Sequence, residues 1–595
     1  MIRLMKYLKK KDVIFVIIVT ILVVLQVYLE LKMPDYSMQL TSILALNNVE
    51  MKDVLYNGGM MLLCAFAIML LAIICSYLAA RILSNFGKNL RENLFKKIEG
   101  FSSEEINGFS TASLITRSTN DVVQMQNFIS MGLQLIIRAP VMAIMGLIKI
   151  SSTSIYWTNA TLIAICIILA VVIIIICTCL PKFKKIQKLT DNLNNAVREN
   201  ITGVRVIRAF NAEDYQEDKF EKVNSEITKT QLFTNRIMGV LSPTMTIVMQ
   251  GLVLVIYIIA GYLINNIELS KALSLEEFEL GMIKRSQLLG QMTAFTTYAM
   301  KIVMSFMMLV MIFIILPRII VSSKRINEVL DTKTKIIDGL SIEEDSHQGK
   351  IVFDNVNFSY PNASSYALRD ICLEINPGET IAFIGATGSG KTTLVNLLNR
   401  FYDVSIGQIL IDDINVKDYK IKDLNDKISL ASQKAVMFKG TIKDNIAYGV
   451  EDEKIDVERI NEALKVACAE EFVSKLDNGI DSKVAQGGTN FSGGQKQRLS
   501  IARAIYKRSE ILIFDDTFSA LDYKTDQLVR RNIKQFAKNS TIIIVAQRIG
   551  TIKNADKIVV LDDGQIVGIG THEELIENCQ LYKEIALSQL SKEEL

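Results

Sequence analysis

The 595-residue sequence predicts an α-helical transmembrane domain of six spans with long cytoplasmic helical extensions, followed by an α/β domain of the phosphate-loop type. Three observations carry this prediction. Apolar residues are concentrated before about Val321, although the whole chain has a mean hydropathy of only +0.28. Lys and Arg gather at alternate ends of the apolar stretches. A glycine-rich loop lies between a short apolar run and a helical segment in the second half. A chain of this length exceeds what a single core supports, so separate domains are expected.

A helix needs about 20 mostly apolar residues to cross the hydrocarbon core. Six stretches qualify, at about 13–33, 54–80, 122–148, 156–180, 237–263 and 287–317. Glu30 stands near the outer end of the first, and Arg138 and Lys301 fall inside the third and sixth. Such charges snorkel or face water between helices, or else line a substrate path. Arg3, Lys6, Lys9, Lys10 and Lys11 precede the first span, and the second-to-third and fourth-to-fifth connections are rich in Lys and Arg. These segments are therefore cytoplasmic, and six spans return the chain to the cytoplasm. Within the long connections, Arg81 to Glu99 and Lys182 to Lys222 keep helical spacing with few breakers, so the helices continue below the membrane. Gly108 and Gly203 are expected to mark the turns, whose tips would dock on the second domain.

The domain limits read as 1–325 for the membrane domain, 326–348 for a linker and 349–595 for the second domain. The stretch Ser341 to Gly349 is short, polar and acidic, and alternation over Ile351 to Tyr360 signals a strand. The run Thr380 to Ile384 leads into Gly385-Ala386-Thr387-Gly388-Ser389-Gly390-Lys391-Thr392, with a helix from Thr393 onward. In this context the pattern binds ATP. Backbone N–H groups from Gly385, Thr387, Gly388, Ser389 and Gly390 wrap the phosphates, and the helix N-terminus carrying Thr393 adds its dipole. Lys391 reaches the β- and γ-phosphates, and the Thr392 hydroxyl binds Mg²⁺. Ile511 to Phe514 form a buried parallel strand that presents Asp515 beside the loop, to hold Mg²⁺ partly through water.

The net charge of +3 gives no reason to expect a nucleic-acid partner. The eight cysteines lack CxxC spacing and read as small buried residues rather than a disulfide or metal framework. No cleavable signal peptide is evident, so the first apolar run stays as a membrane helix.

At Phe491-Ser492-Gly493-Gly494-Gln495 the chain resembles the ABC transporter family, whose signature this stretch matches. The resemblance covers essentially the whole chain, and the arrangement is that of ABC exporter half-transporters. It implies that Ser492, Gly493, Gly494 and Gln495 face an ATP held by the phosphate loop of a second ABC half-transporter. Tyr360 would stack on adenine, Gln433 would sense Mg²⁺ and touch the membrane domain, and Asp522 in Ser519-Ala520-Leu521-Asp522 would act across the dimer.

Two positions depart from the family pattern. Asp516 stands where the family has the Glu that activates water, and Gln547 where it has the His that contacts the γ-phosphate. The first carboxylate is a methylene short, and Gln cannot carry the positive charge. His347 and His572, the only histidines, read as structural or surface residues. This combination, with Gln486-Gly487-Gly488-Thr489-Asn490 before the signature, resembles the degenerate-site subunit of heterodimeric bacterial multidrug-type exporters. It implies a non-identical partner, residence in the bacterial plasma membrane with the N-terminus and ATPase domain cytoplasmic, and export of a drug, lipid or peptide by alternating access. A homodimeric lipid or drug flippase and an ATP-gated regulatory membrane protein are the alternatives.

Overall fold

The computed structural model describes residues 2–46, 50–151, 154–267, 275–340, 349–361 and 363–590. Most of the polar stretch 341–349, including His347, lies outside the described residues. The chain divides into two compact units, Met1–Glu99 with Ala112–Asp331, and Gly100–Thr111 with Thr332–Leu595.

The first unit is helical. Among the described residues, five helices are long and apolar enough to cross a membrane, at Lys10–Leu44, Met51–Glu99, Ile155–Thr202, Glu213–Asn265 and Glu276–Leu309. The expected third span, 122–148, is not one of them. A π-helical turn at Gly132–Ile136 lies between helices Asn120–Met131 and Ile137–Ser151. The backbone stays helical through this turn, so 120–151 is one helical run with a π-bulge in it. The count of six stays an expectation from the sequence.

The helices run past their apolar stretches, as their uninterrupted spacing predicts. Met51–Glu99 is one helix of 49 residues, about 70 Å at 1.5 Å per residue. Gly203 separates Ile155–Thr202 from Val204–Ala209, whereas Gly108 lies inside the short helix Ser103–Phe109. The first helix continues through Pro34 to Leu44, so Glu30 is interior to it rather than at its end. Glu30 Oε1 accepts from Arg138 Nη2 at 2.6 Å, and the Glu30 carbonyl accepts from Lys301 Nζ at 2.6 Å. A second cluster joins Asp35 to Lys149 at 2.8 Å and to the Tyr298 hydroxyl. Three helices are thus pinned by charges that hydrocarbon would otherwise penalise.

The second unit contains a six-stranded sheet and a four-stranded antiparallel sheet. The antiparallel sheet comprises β1 (Ile351–Phe358), β2 (Leu368–Ile375), β4 (Ile406–Ile411) and β5 (Ile414–Asn415), in the order β2-β1-β4-β5. The larger sheet comprises β3 (Thr380–Ile384), β6 (Ile428–Ala431), β9 (Ile511–Asp515), β10 (Thr541–Val545), β11 (Lys557–Asp562) and β12 (Gln565–Gly570). A two-residue pair, β7 (Gly440–Thr441) and β8 (Lys483–Val484), completes the set. The larger sheet runs β12-β11-β3-β10-β9-β6, parallel except for β12. Every residue of β3, β9 and β10 is buried, as expected for parallel strands covered on both faces. Alternate residues feed two cores, Ile384, Phe514 and Ile544 on one face and Phe383, Ile513 and Ile543 on the other.

The segment Gly100–Thr111 belongs to this unit. Its Asn107 donates to the Tyr402 hydroxyl at 3.2 Å, and Glu105 accepts from the Lys335 backbone N–H at 3.2 Å.

Candidate active site

The carboxyl ends of β3, β9 and β10 lie side by side and position the site. β3 feeds the loop 385–390, and helix Lys391–Leu398 begins where the loop ends. Gly385 passes so close to β11 that a Cβ there would lie 2.1 Å from the Leu561 carbonyl oxygen. Gly388 has φ +90° and open space around it. The loop therefore has one side seated on the sheet and one side free, a cradle into which backbone N–H groups can point. Lys391 Nζ donates to the carbonyls of Gly385 and Ala386 at 2.9 and 2.7 Å and to Ser389 Oγ at 3.1 Å. Burial pushes its ammonium pKa down, against the pull of Asp516 and Asp515.

Thr392 Oγ1 donates to Asp515 Oδ1 at 3.4 Å, joining the two residues expected at Mg²⁺. Burial pushes the Asp515 carboxyl up, only partly offset by the Thr392 hydrogen bond, and Asp516 adds to the rise. An all-oxygen pair beside a phosphate cradle fits Mg²⁺, which takes few protein ligands and fills the rest with water and phosphate. Bound there, the ion would neutralise charge on the phosphates.

Asp516 follows β9 with φ +46°, and its N–H donates to the Val545 carbonyl of β10 at 2.9 Å. Its Oδ2 accepts from Gln433 Nε2 and from Gln547 Nε2, each at 3.2 Å. The three residues at which sequence and family pattern intersect most sharply are thus one hydrogen-bonded group. Gln433 keeps its Oε1 as an acceptor, as a residue near Mg²⁺ requires. Its backbone carbonyl is held by Gln497 of helix Gly493–Lys507 at 3.2 Å.

Tyr360 donates to or accepts from Thr393 Oγ1 at 3.1 Å and meets Phe358 and Tyr402 edge-on. Thr387 and Gly388 are exposed on the loop, whereas Ser389 is buried and Gly390, at φ +102°, caps the following helix. Ser492, Gly493, Gly494 and Gln495 form the start of their helix, the first two exposed and the next two half-buried. Ser492 and Gln495 close a capping box, with N–H to Oε1 at 2.9 Å and N–H to Oγ at 3.3 Å. Asp522 caps helix Tyr523–Phe536 through Thr525, whose backbone N–H holds the exposed carboxyl below its ordinary range. His572 is buried and pairs its Nδ1 with the Tyr582 hydroxyl at 2.7 Å, the structural role expected of it.

Sequence reasoning missed Gln589. Its amide bridges the Gln547 carbonyl and the Ile549 N–H, both at 2.8 Å. No motif signals it, because the pairing joins residues 40 positions apart.

Comparison with known proteins agrees with this geometry. The profile of the ABC transporter transmembrane region matches residues 15–278, and that of the ABC transporter matches 368–519. An ABC transporter ATP-binding protein of Mycobacterium bovis is 37% identical over 480 residues, 80% of this chain and 79% of its own. The ATP-dependent lipid A-core flippase of Hahella chejuensis is 36% identical over 409 residues, 69% and 66% of the two chains. The solved structure of a bacterial Atm1-family ABC exporter with ATP bound superposes with a TM-score of 0.77 over 98% of this chain and 99% of its own, at 21% identity. The chain belongs to the ABC transporter family, with a multi-pass membrane domain fused to an ATPase domain that uses ATP with Mg²⁺ to drive transport.

Proposed function

We propose that this chain is the degenerate-site half of a heterodimeric bacterial exporter, which moves an amphipathic or apolar substrate out of the cytoplasm. The observation that carries the reading is the environment of Asp516. Its carboxylate is bonded by two neutral amides, from Gln433 and Gln547. A carboxylate one methylene short sits farther from a water at the γ-phosphate, and displacement of about 1 Å costs on the order of 10²-fold in rate. Gln547 donates a hydrogen bond but supplies no charge to the developing anion. Meanwhile the cradle and Lys391 are retained, so the site would hold ATP and release it slowly. The cap formed by Ser492, Gly493 and Gly494, exposed at its first two residues, would complete the competent site of a non-identical partner. The helix Ser103–Phe109, whose Asn107 bonds Tyr402, would carry closure of the ATPase domains into the membrane helices.

A second reading, a homodimeric lipid flippase, draws on the 36% and 33% identity to two lipid A-core flippases. The discriminating test is Asp516→Glu with Gln547→His in the complete transporter. Degeneracy predicts a rise in ATPase of up to about twofold, since one competent site becomes two. An unchanged rate with an already fast native site would refute it.

A further inference from the structure

We infer that Gln589, on the last helix described, is a positioning residue for the nucleotide site. Helix Gln580–Gln589 is seated by Tyr582 and Ala586, both fully buried in the core that also holds Ile549 and Ile552. Tyr582 is further tied to buried His572 at 2.7 Å. Residues 582, 586 and 589 follow one another at i, i+4 and i+7, so the seated face of the helix aims Gln589 at the turn after β10.

There the amide engages the main chain at two points. Nε2 donates to the Gln547 carbonyl, and Oε1 accepts from the Ile549 N–H, each at 2.8 Å. An amide that uses both its donor and its acceptor on residues two apart fixes the peptide planes around Arg548, as a neighbouring strand would. The Gln547 side chain leaves this turn to donate to Asp516, which also accepts from Gln433. A continuous path therefore runs from the C-terminal helix through the Gln547 backbone to the carboxylate beside the phosphate loop. Arg548 and Gln547 are exposed, so their own side chains add no core packing to the clamp. The inference holds whether the site turns over fast or slowly, because it concerns the placement of Gln547 rather than its chemistry.

The experiment uses the full chain in lipid nanodiscs, with hydrogen exchange resolved at the Ile549 amide and dissociation of a fluorescent ATP analogue. Gln589→Ala should speed Ile549 exchange about fivefold, the equivalent of one lost hydrogen bond, and analogue release by a similar factor. Gln589→Glu still accepts from Ile549 but sets a carboxylate oxygen against the Gln547 carbonyl. It should keep Ile549 protected and still speed release. Gln589 is exposed, so neither variant disturbs a core. Unchanged Ile549 exchange in Gln589→Ala, or faster exchange with unchanged release in both variants, would overturn the positioning role. Rapid ATPase in the parent chain would refute the slow-site reading alone and leave these two readouts intact.

Discussion

Adding one methyl group to Gly385 or to Gly388 separates the two faces of the phosphate loop. At Gly385 the new Cβ would stand 2.1 Å from the Leu561 carbonyl oxygen and 2.7 Å from Ser389 Oγ. The first neighbour is backbone of β11, hydrogen-bonded between β12 and β3, and cannot rotate away. The loop must lift instead, taking its N–H groups and the Lys391 anchor out of register. A displacement of this kind is expected to cost more than about 3 kcal/mol, or beyond 100-fold in ATP affinity. At Gly388 nothing lies within 4 Å, and only the positive φ resists a side chain. That strain is about 1–2 kcal/mol, which the free loop can relax and binding imposes again, so affinity should fall about five- to thirtyfold. Equilibrium binding of a fluorescent ATP analogue to each variant in nanodiscs measures both, with thermal unfolding as the folding control. Equal losses at the two positions would refute the cradle geometry, as would full affinity in Gly385→Ala.

Two further outcomes follow from the charges. Glu30→Gln removes the carboxylate that Arg138 reaches at 2.6 Å. With Arg138 about one-third exposed, the loss should be about 1–3 kcal/mol, visible as a lower unfolding midpoint and partly recovered by adding Arg138→Met. In the ATPase unit, burial raises the Asp515 pKa above its ordinary 3.8. The proton competes with Mg²⁺, so Mg²⁺-dependent ATP binding should weaken on acidification at a pH above 3.8, through the raised pKa. A group shifted upward binds its proton more tightly in the fold, so folded-state stability gains rather than loses in that window. Asp515→Asn should flatten the pH profile of Mg²⁺-dependent binding.

Local pattern made much of the ATPase unit legible. The strand Thr380–Ile384, the loop and the helix that follows are adjacent in sequence, and each is marked by its own residues. The strand Ile511–Asp515 reads from four apolar residues and one carboxylate. The pairing of Asp516 with Gln547 was expected as two separate departures, and the structure joins them through one carboxylate oxygen. The membrane unit was less legible. Apolar content locates spans but does not register a π-helical turn, so the bulge at Gly132–Ile136 within 122–148 was not foreseen. Glu30, Arg138 and Lys301 stood out singly, but their partners depend on which helices pack together. Asp35, Lys149 and Tyr298 drew no attention at all, because Asp35 and Lys149 lie beyond the apolar cores of the expected spans and Tyr298 is uncharged. Gln589 was missed for the same reason, its role arising from a tertiary contact with backbone.

The heterodimer reading is tested most directly by ATP hydrolysis in lipid nanodiscs, by the purified chain alone and after co-expression with partner half-transporters. The account predicts a lone chain that binds the ATP analogue, hydrolyses ATP negligibly and gains turnover with a partner. Brisk hydrolysis by a homodimer of the lone chain would contradict it, and would make Asp516 a sufficient catalytic carboxylate.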